Sequence, residues 1–166
     1  CSSLKEIKIP PSVQKIDYCA FNDCSSLVEI EIPPSVKEIG FNCFDKCSSL
    51  VKISILSSID EIPMYFVTGC SSLKEINIPS SVRKIKMFAF AECSSLTHIE
   101  IPSSVIEIDN NAFAGCSSLL QLKIPSSVKE IGNDILDGCV SLTEISIPSK
   151  FKDKIKLDSK VKVLLT

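Results

Sequence analysis

The sequence predicts a strand-dominated member of the α/β repeat class: a right-handed solenoid, bent into a shallow horseshoe, with parallel β-ladders running along it. Three observations carry this. Cysteines recur at Cys1, Cys24, Cys47, Cys70, Cys93, Cys116 and Cys139, a constant step of 23 residues. Each step repeats one pattern, C-S-S-L-x-x-I-x-I-P-x-S-V-x-x-I-x-x-x-A-F-x-x. And no unit can stand alone. Burying its large apolar side chains yields roughly 10–18 kcal/mol, whereas ordering its backbone costs roughly 23–46 kcal/mol. Only stacked neighbours close that gap, which is the logic of repeat arrays.

In the first unit, Leu4-x-x-Ile7-x-Ile9 alternates as a strand with its apolar residues on one face. Pro10 ends it, having no N–H to give a ladder. Val13-x-x-Ile16 is a second extended piece, and Ala20-Phe21 closes the coil by burying a ring. Equivalent residues of adjacent coils then stack about 4.8 Å apart. The seven grid cysteines therefore form one column inside a corner, beside Leu4, Leu27, Leu50 and their equivalents. All seven are expected to be buried and reduced, since free Cys packs as a small apolar residue. An unbroken column of seven leaves one unpaired, and parallel stacking points the Cβ vectors the same way, which is poor disulfide geometry. The Ser-Ser pairs after each Cys read as corner residues whose hydroxyls satisfy turn backbone.

The pieces C-S-S-L, I-x-I-P, S-V-x-x-I and A-F recur together over residues 1 to about 148. The period and the L-x-x-L-x-L-like core signal a leucine-rich solenoid, and the unit resembles the BspA-like leucine-rich repeat, a class found in surface antigens of oral and gut bacteria and in protein families of parasitic protists. The resemblance implies an arc-shaped scaffold without catalysis, with roles in adhesion or protein binding, and it suggests the cell surface. Unpaired cysteines are equally compatible with an intracellular setting. The expected organisation is seven stacked repeats over 1–148 and a degenerate C-terminal cap over 149–166, where Phe151 keeps the Val13 column and Lys160 to Val163 alternate like a charged edge strand. Cys1 opens directly on a full repeat, so its apolar face is expected to need a cover.

The third repeat deviates most: Leu56 stands where the strand-ending Pro belongs, Pro63 follows Ile62, and Phe66-Val67 replaces Ala-Phe. This reads either as drift in a tolerant core or as a local kink or recognition spot.

Function is bounded by exclusion. A net charge of −2 argues against nucleic-acid binding. Every apolar run is broken by a charge or Pro, so membrane insertion is not expected. The single histidine, His98, lies in a solvated column near Glu75 and Glu100, with no activated nucleophile in reach. Cys19/Cys24 and Cys43/Cys47 have roughly metal-like spacing, but Cys43 occupies the small Ala column, so burial is the simpler reading. No enzyme, cofactor or metal site is expected.

Two surfaces remain. The expected concave face comprises Glu6, Glu29, Lys52, Glu75, His98, Gln121 and Glu144 in one column, which sums to −3, and Lys8, Glu31, Ser54, Asn77, Glu100, Lys123 and Ser146 in another, which sums to 0. Leu56 lies at its edge. It is either a solvated sheet face or a weakly acidic protein-binding surface. The second is the pair of turn positions before Ala-Phe. Tyr18, Phe41, Met64, Tyr65, Met87 and Phe88 stand there in the first four repeats, whereas Asn110-Asn111 and Asn133-Asp134 follow in the next two. The fold cannot require the apolar set. It either covers its own coils or forms a stripe for a partner or for self-association, with a closed dimer favoured over filaments. The reading is a non-catalytic protein-binding scaffold, with a cell-surface adhesin segment or a self-assembling structural protein as alternatives.

Overall fold

The computed structural model describes residues 1–166. Its backbone is short strands and turns, with no α-helix. Each repeat forms one coil, and hydrogen bonds between neighbouring coils run along three sides, with local interruptions on two of them.

The first side is the concave ladder. In chain order its strands are β2 (Glu29–Ile32), β4 (Lys52–Ile55), β6 (Glu75–Ile76), β9 (Gln121–Lys123), β11 (Glu144–Ile147) and β12 (Lys162–Leu165). All pair in parallel, and each residue faces its equivalent one repeat on: Glu29 opposite Lys52, Ile30 opposite Ile53. Alternation puts Ile30, Ile32, Ile53 and Ile55 inside and the polar residues outside. The second side carries two-residue strands: β1 (Lys15–Ile16), β3 (Glu38–Ile39), β5 (Glu61–Ile62), β7 (Lys84–Ile85), β8 (Glu107–Ile108) and β10 (Glu130–Ile131). These form a pair, β1-β3, and a four-stranded sheet, β5-β7-β8-β10. The break between β3 and β5 has a local cause. Gly40, Lys86, Asp109 and Gly132 each donate their N–H to the preceding coil's isoleucine carbonyl at 2.7–3.0 Å. In the Cys47 coil that position is Pro63, which has no N–H to donate.

The third side is a ladder of turns. Cys19 donates to Phe41 O, Phe21 to Cys43 O and Asp23 to Asp45 O (2.8–3.1 Å), and the series continues coil by coil to Gly115 and Asp137. The turn requires a left-handed residue at the second position before Ala-Phe. Cys19, Asn42, Tyr65, Phe88, Asn111 and Asp134 all hold φ between 52° and 56°. Gly40 is fixed by close approach, since a Cβ there would lie 2.3 Å from the Tyr18 nitrogen.

The core is one cluster along the whole solenoid. The core rings stack in two parallel pairs, the half-buried Phe21 on Phe44 and the buried Phe90 on Phe113, with centroids 5.2 and 5.3 Å apart and planes 2° apart. Between them Phe66, one residue early in its repeat, meets Phe44 edge-on at 84° while Val67 fills the ring column. Both are fully buried, and the deviation is absorbed by repacking.

Six grid cysteines, Cys24 to Cys139, are buried, and every cysteine is free. Cys1 corrects the expectation that all seven are buried. It is exposed, because only one side of its coil is covered by another coil. The column also does more than pack. Each thiol from Cys47 onward donates to a carbonyl 26 residues earlier, in the turn that leads into the neighbouring grid cysteine: Cys47 to Phe21 O, Cys70 to Phe44 O, Cys93 to Val67 O, Cys116 to Phe90 O and Cys139 to Phe113 O, at 3.0–3.3 Å. Burial pushes the thiols of Cys70, Cys93 and Cys116 well up from the ordinary value, and that of Cys139 to about 11. The corner serines behave as expected: Ser26 Oγ donates to Ser2 O at 2.5 Å and Ser94 Oγ to Ser71 O at 3.3 Å.

At the C-terminal end a 3₁₀ turn, Ser149–Phe151, buries Phe151 on the valine column. The strand β12 then pairs with β11, with Lys162 Nζ 2.8 Å from Glu144 Oε2.

Candidate interaction surfaces

The concave ladder is interrupted at the Cys93 coil, which pairs as a strand with neither neighbour: it keeps one main-chain bond to the Cys116 coil, from Leu120 N–H to Thr97 O, and none to the Cys70 coil. At other junctions the residue after the conserved Leu donates its N–H back one coil: Val28 to Lys5 O, Val51 to Val28 O, Lys74 to Val51 O, Leu120 to Thr97 O and Thr143 to Leu120 O, at 2.8–3.2 Å. The bond from Thr97 to Lys74 O is absent, and Thr97 to Ile101 form no strand. In the serine column, Ser81 Oγ donates to Ile59 O at 2.7 Å and Ser127 Oγ to Val105 O at 2.8 Å, while the equivalent Ser35 and Ser104 hydroxyls are buried without a partner. The other two sides of this junction are intact, through β7–β8 and the bonds from Phe88 to Asn110 O and Phe90 to Ala112 O. The coils are therefore splayed on the concave side alone.

Asn77 alters the adjoining ladder, between the Cys47 and Cys70 coils. Its side-chain amide pairs both ways with Ile55, accepting from the N–H at 2.8 Å and donating to the carbonyl at 2.9 Å. A side chain thereby occupies the edge of β4 that the next coil's backbone would have used, and β6 stops at Ile76. Asn77 is the only amide in its column. The core shows beneath: Ile76 and Ile78 are half-buried, whereas their counterparts Ile53 and Ile55 are buried. A cleft of about 800 Å³ forms there, lined by Lys52, Leu56, Lys74, Glu75, His98 and Glu100 around the two isoleucines. A neighbouring depression of about 650 Å³ shares His98 and Glu100 and runs on to Lys123 and Glu144.

The ten concave-face residues expected from sequence, Glu6, Glu29, Glu31, Lys52, Leu56, Glu75, Asn77, His98, Glu100 and Lys123, are all exposed. The structure gathers Lys52, Leu56, Glu75, Asn77, His98 and Glu100 around the cleft, while Glu6, Glu29 and Glu31 line a separate shallow depression with Lys52. Lys52 and Glu75 neutralise each other across 3.2 Å. Leu56 is 51% exposed and, unlike the proline it replaces, donates its N–H to Ile32 O at 2.9 Å. Lys74, Ile76 and Ile78 were not anticipated from sequence. The Asn in a column of charges and serines was the available signal.

The turn residues form two stacks. Tyr18 and Phe41, 58% and 49% exposed, lie 5.5 Å apart at 14°. Tyr65 and Phe88 lie 5.1 Å apart at 7° and are half-buried, as are Met64 and Met87. Tyr65 and Phe88 take the left-handed position that Asn and Asp, not bulky side chains, tolerate.

A family model described as "BspA type Leucine rich repeat region", in six copies, matches residues 1–96 and 83–156. The chain belongs to the BspA-type leucine-rich repeat family. Solved leucine-rich repeat structures agree with the coil architecture. A leucine-rich repeat protein from Bacteroides ovatus is 30% identical, with a TM-score of 0.75 over 98% of this chain and 46% of that one. The T. pallidum leucine rich repeat protein is 32% identical, with a TM-score of 0.55 over 82% of this chain and 53% of that one. A leucine rich cell surface protein from Faecalibacterium prausnitzii is 25% identical, with a TM-score of 0.51 over 98% of this chain and 54% of that one. The chain spans about half the length of these structures. No curated protein matches it. As a BspA-type array the chain is a repeat scaffold, and none of its helices is long and apolar enough to cross a membrane.

Proposed function

We propose that this chain is a non-catalytic scaffold that binds protein on its concave face, at the opened junction between the Cys70 and Cys93 coils. The observation that carries this is the half-exposure of Ile76 and Ile78 in a cleft rimmed by charge. Exposed core side chains beside unpaired polar groups are the mark of a contact surface, not of a solvated sheet. A cell-surface adhesin is the narrower form of the reading, favoured by the cell-surface description of the F. prausnitzii relative. The test is affinity capture from the native source on immobilised wild type and on Leu56→Asp/Lys74→Glu. A protein retained by wild type and lost on the variant is expected; equal retention on both would overturn the reading.

A second reading rests on the turn stripe. Aromatic residues at two positions where Asn or Asp would relieve backbone strain indicate a purpose other than folding. Self-association through Tyr18, Phe41, Tyr65 and Phe88 into a closed two-fold dimer fits this. Sedimentation at about 100 μM tests for association in the micromolar Kd range. Phe41→Asn/Phe88→Asn is expected to give a folded monomer, and a wild type that is already monomeric would refute the reading.

A further inference from the structure

We infer that the opened junction is a slot for an extended peptide, which completes the concave ladder with its own main chain. The inference rests on the protein-binding reading above and names the partner's chemistry. The N–H groups of Thr97, His98, Ile99, Glu100 and Ile101 donate to no backbone or side-chain acceptor, and the carbonyls of His98, Ile99, Glu100 and Ile101 accept from none. Ile99 and Ile101 are nonetheless buried, so this backbone is held extended by its side chains while its polar groups stay unpaired. Peptide groups left without a protein partner along the wall of an open cleft form an edge that another strand can bond. The partner that offers alternating N–H and C=O at the repeat of a strand is another strand.

The walls define the side chains of that strand. Ile76 and Ile78 floor the cleft and Leu56 walls it, a receptor for aliphatic side chains on one face of the peptide. Lys52 and Glu75 satisfy each other, which leaves Lys74 and Glu100 as rim charges of opposite sign without an ion-pair partner. Charge complementarity therefore selects an acidic residue toward Lys74 and a basic one toward Glu100. The occupant is an extended segment that alternates aliphatic with charged residues and carries both signs. The Asn77 amide keeps the slot open by holding Ile55.

The probe is a capped peptide, SLKEINIP, copying residues 72–79, in which Glu75-Ile76-Asn77-Ile78 alternates polar with aliphatic residues and Lys74 and Glu75 supply both signs. Its control is the same peptide N-methylated at alternate amides, which keeps every side chain and removes the main-chain donors. With ¹⁵N-labelled protein, SLKEINIP is expected to shift the amides of Thr97–Ile101 and slow their exchange with solvent, and to bind at least tenfold more tightly than the N-methylated form. Asn77→Ser, with its ladder closed, is expected to lose the response at unchanged thermal stability. Three results would overturn the inference: no shift with peptide at millimolar concentration, shifts confined to the outer edge at Lys162–Leu165, or equal binding of the N-methylated peptide. If concave-face capture succeeds and these peptide results fail, strand pairing falls and the scaffold reading stands.

Discussion

Raising the pH should weaken the fold through its buried thiols, and Cys116 shows by how much. Its side chain is fully buried, with the thiol donating to Phe90 O at 3.2 Å. Burial, reinforced by the neighbouring Cys139, pushes its pKa far above the ordinary 9.0. Below pH 9.0 the thiol is protonated in both the folded and unfolded chain, and its contribution is fully present. Above that, the unfolded chain releases the proton while the folded one keeps it. Stability then falls by about 1.4 kcal/mol per pH unit per thiol until the folded thiol ionises. Cys116→Ala removes the titration and costs about 1 kcal/mol of packing at pH 7. Phe90 O still accepts from the Cys93 N–H. Urea unfolding in reductant, followed by circular dichroism from pH 7 to 10, is expected to show the deficit of the variant vanish by pH 10 and slightly reverse. A deficit that stays constant across this range would refute a buried, protonated thiol at Cys116.

Other perturbations test other parts of the fold. Phe113→Ala removes a buried ring and its stack with Phe90, and a loss of about 3–5 kcal/mol is expected in urea unfolding. Glu107 bonds Lys84 at 3.1 Å and approaches Lys86 at 3.6 Å, which holds its carboxyl below the usual 4.5. That stabilisation is present above pH 4.5 and lost as pH falls below it. Glu107→Gln should trail wild type by less than ~1 kcal/mol at pH 6, the pair being partly solvated, and match it near pH 3. Phe88→Asn trades stacking of about 0.5–1.5 kcal/mol against relief of left-handed strain of about 1–2 kcal/mol. Its melting temperature should stay within a few degrees of wild type, and a collapse would show that the ring is structural.

The repeat made most of the fold legible. Leu27, Ile30 and Ile32 recur on a grid that has one solution, because equal coils stack equivalent residues. What escaped were effects reaching from one coil into another. The Cys93 coil, CSSLTHIEIPSSV, matches the consensus, yet it holds the unpaired backbone, and the nearest departure from the column pattern, Asn77, lies a coil earlier. The thiol–carbonyl bonds escaped similarly: the acceptor of Cys93 is Val67 O, and a column pattern shows which residues stack without showing which atoms meet. Asn42, Asn111 and Asp134 hinted at the left-handed turn, but Tyr65 and Phe88 in the same column hid it. Among surface residues, Glu75, His98 and Glu100 were placed together by register alone, whereas the exposure of Ile76 and Ile78 depends on the splay.

Residue-resolved amide hydrogen exchange bears most directly on whether the concave ladder is open between the Cys70 and Cys93 coils. Slow exchange is expected at the ladder-bonded amides of Lys52–Ile55 and Glu144–Ile147, at Phe90 and Asp109 on the intact sides of the junction, and fast exchange at His98–Ile101. Protection at His98–Ile101 equal to that of the flanking strands would mean a closed ladder, and the proposed binding site would close with it.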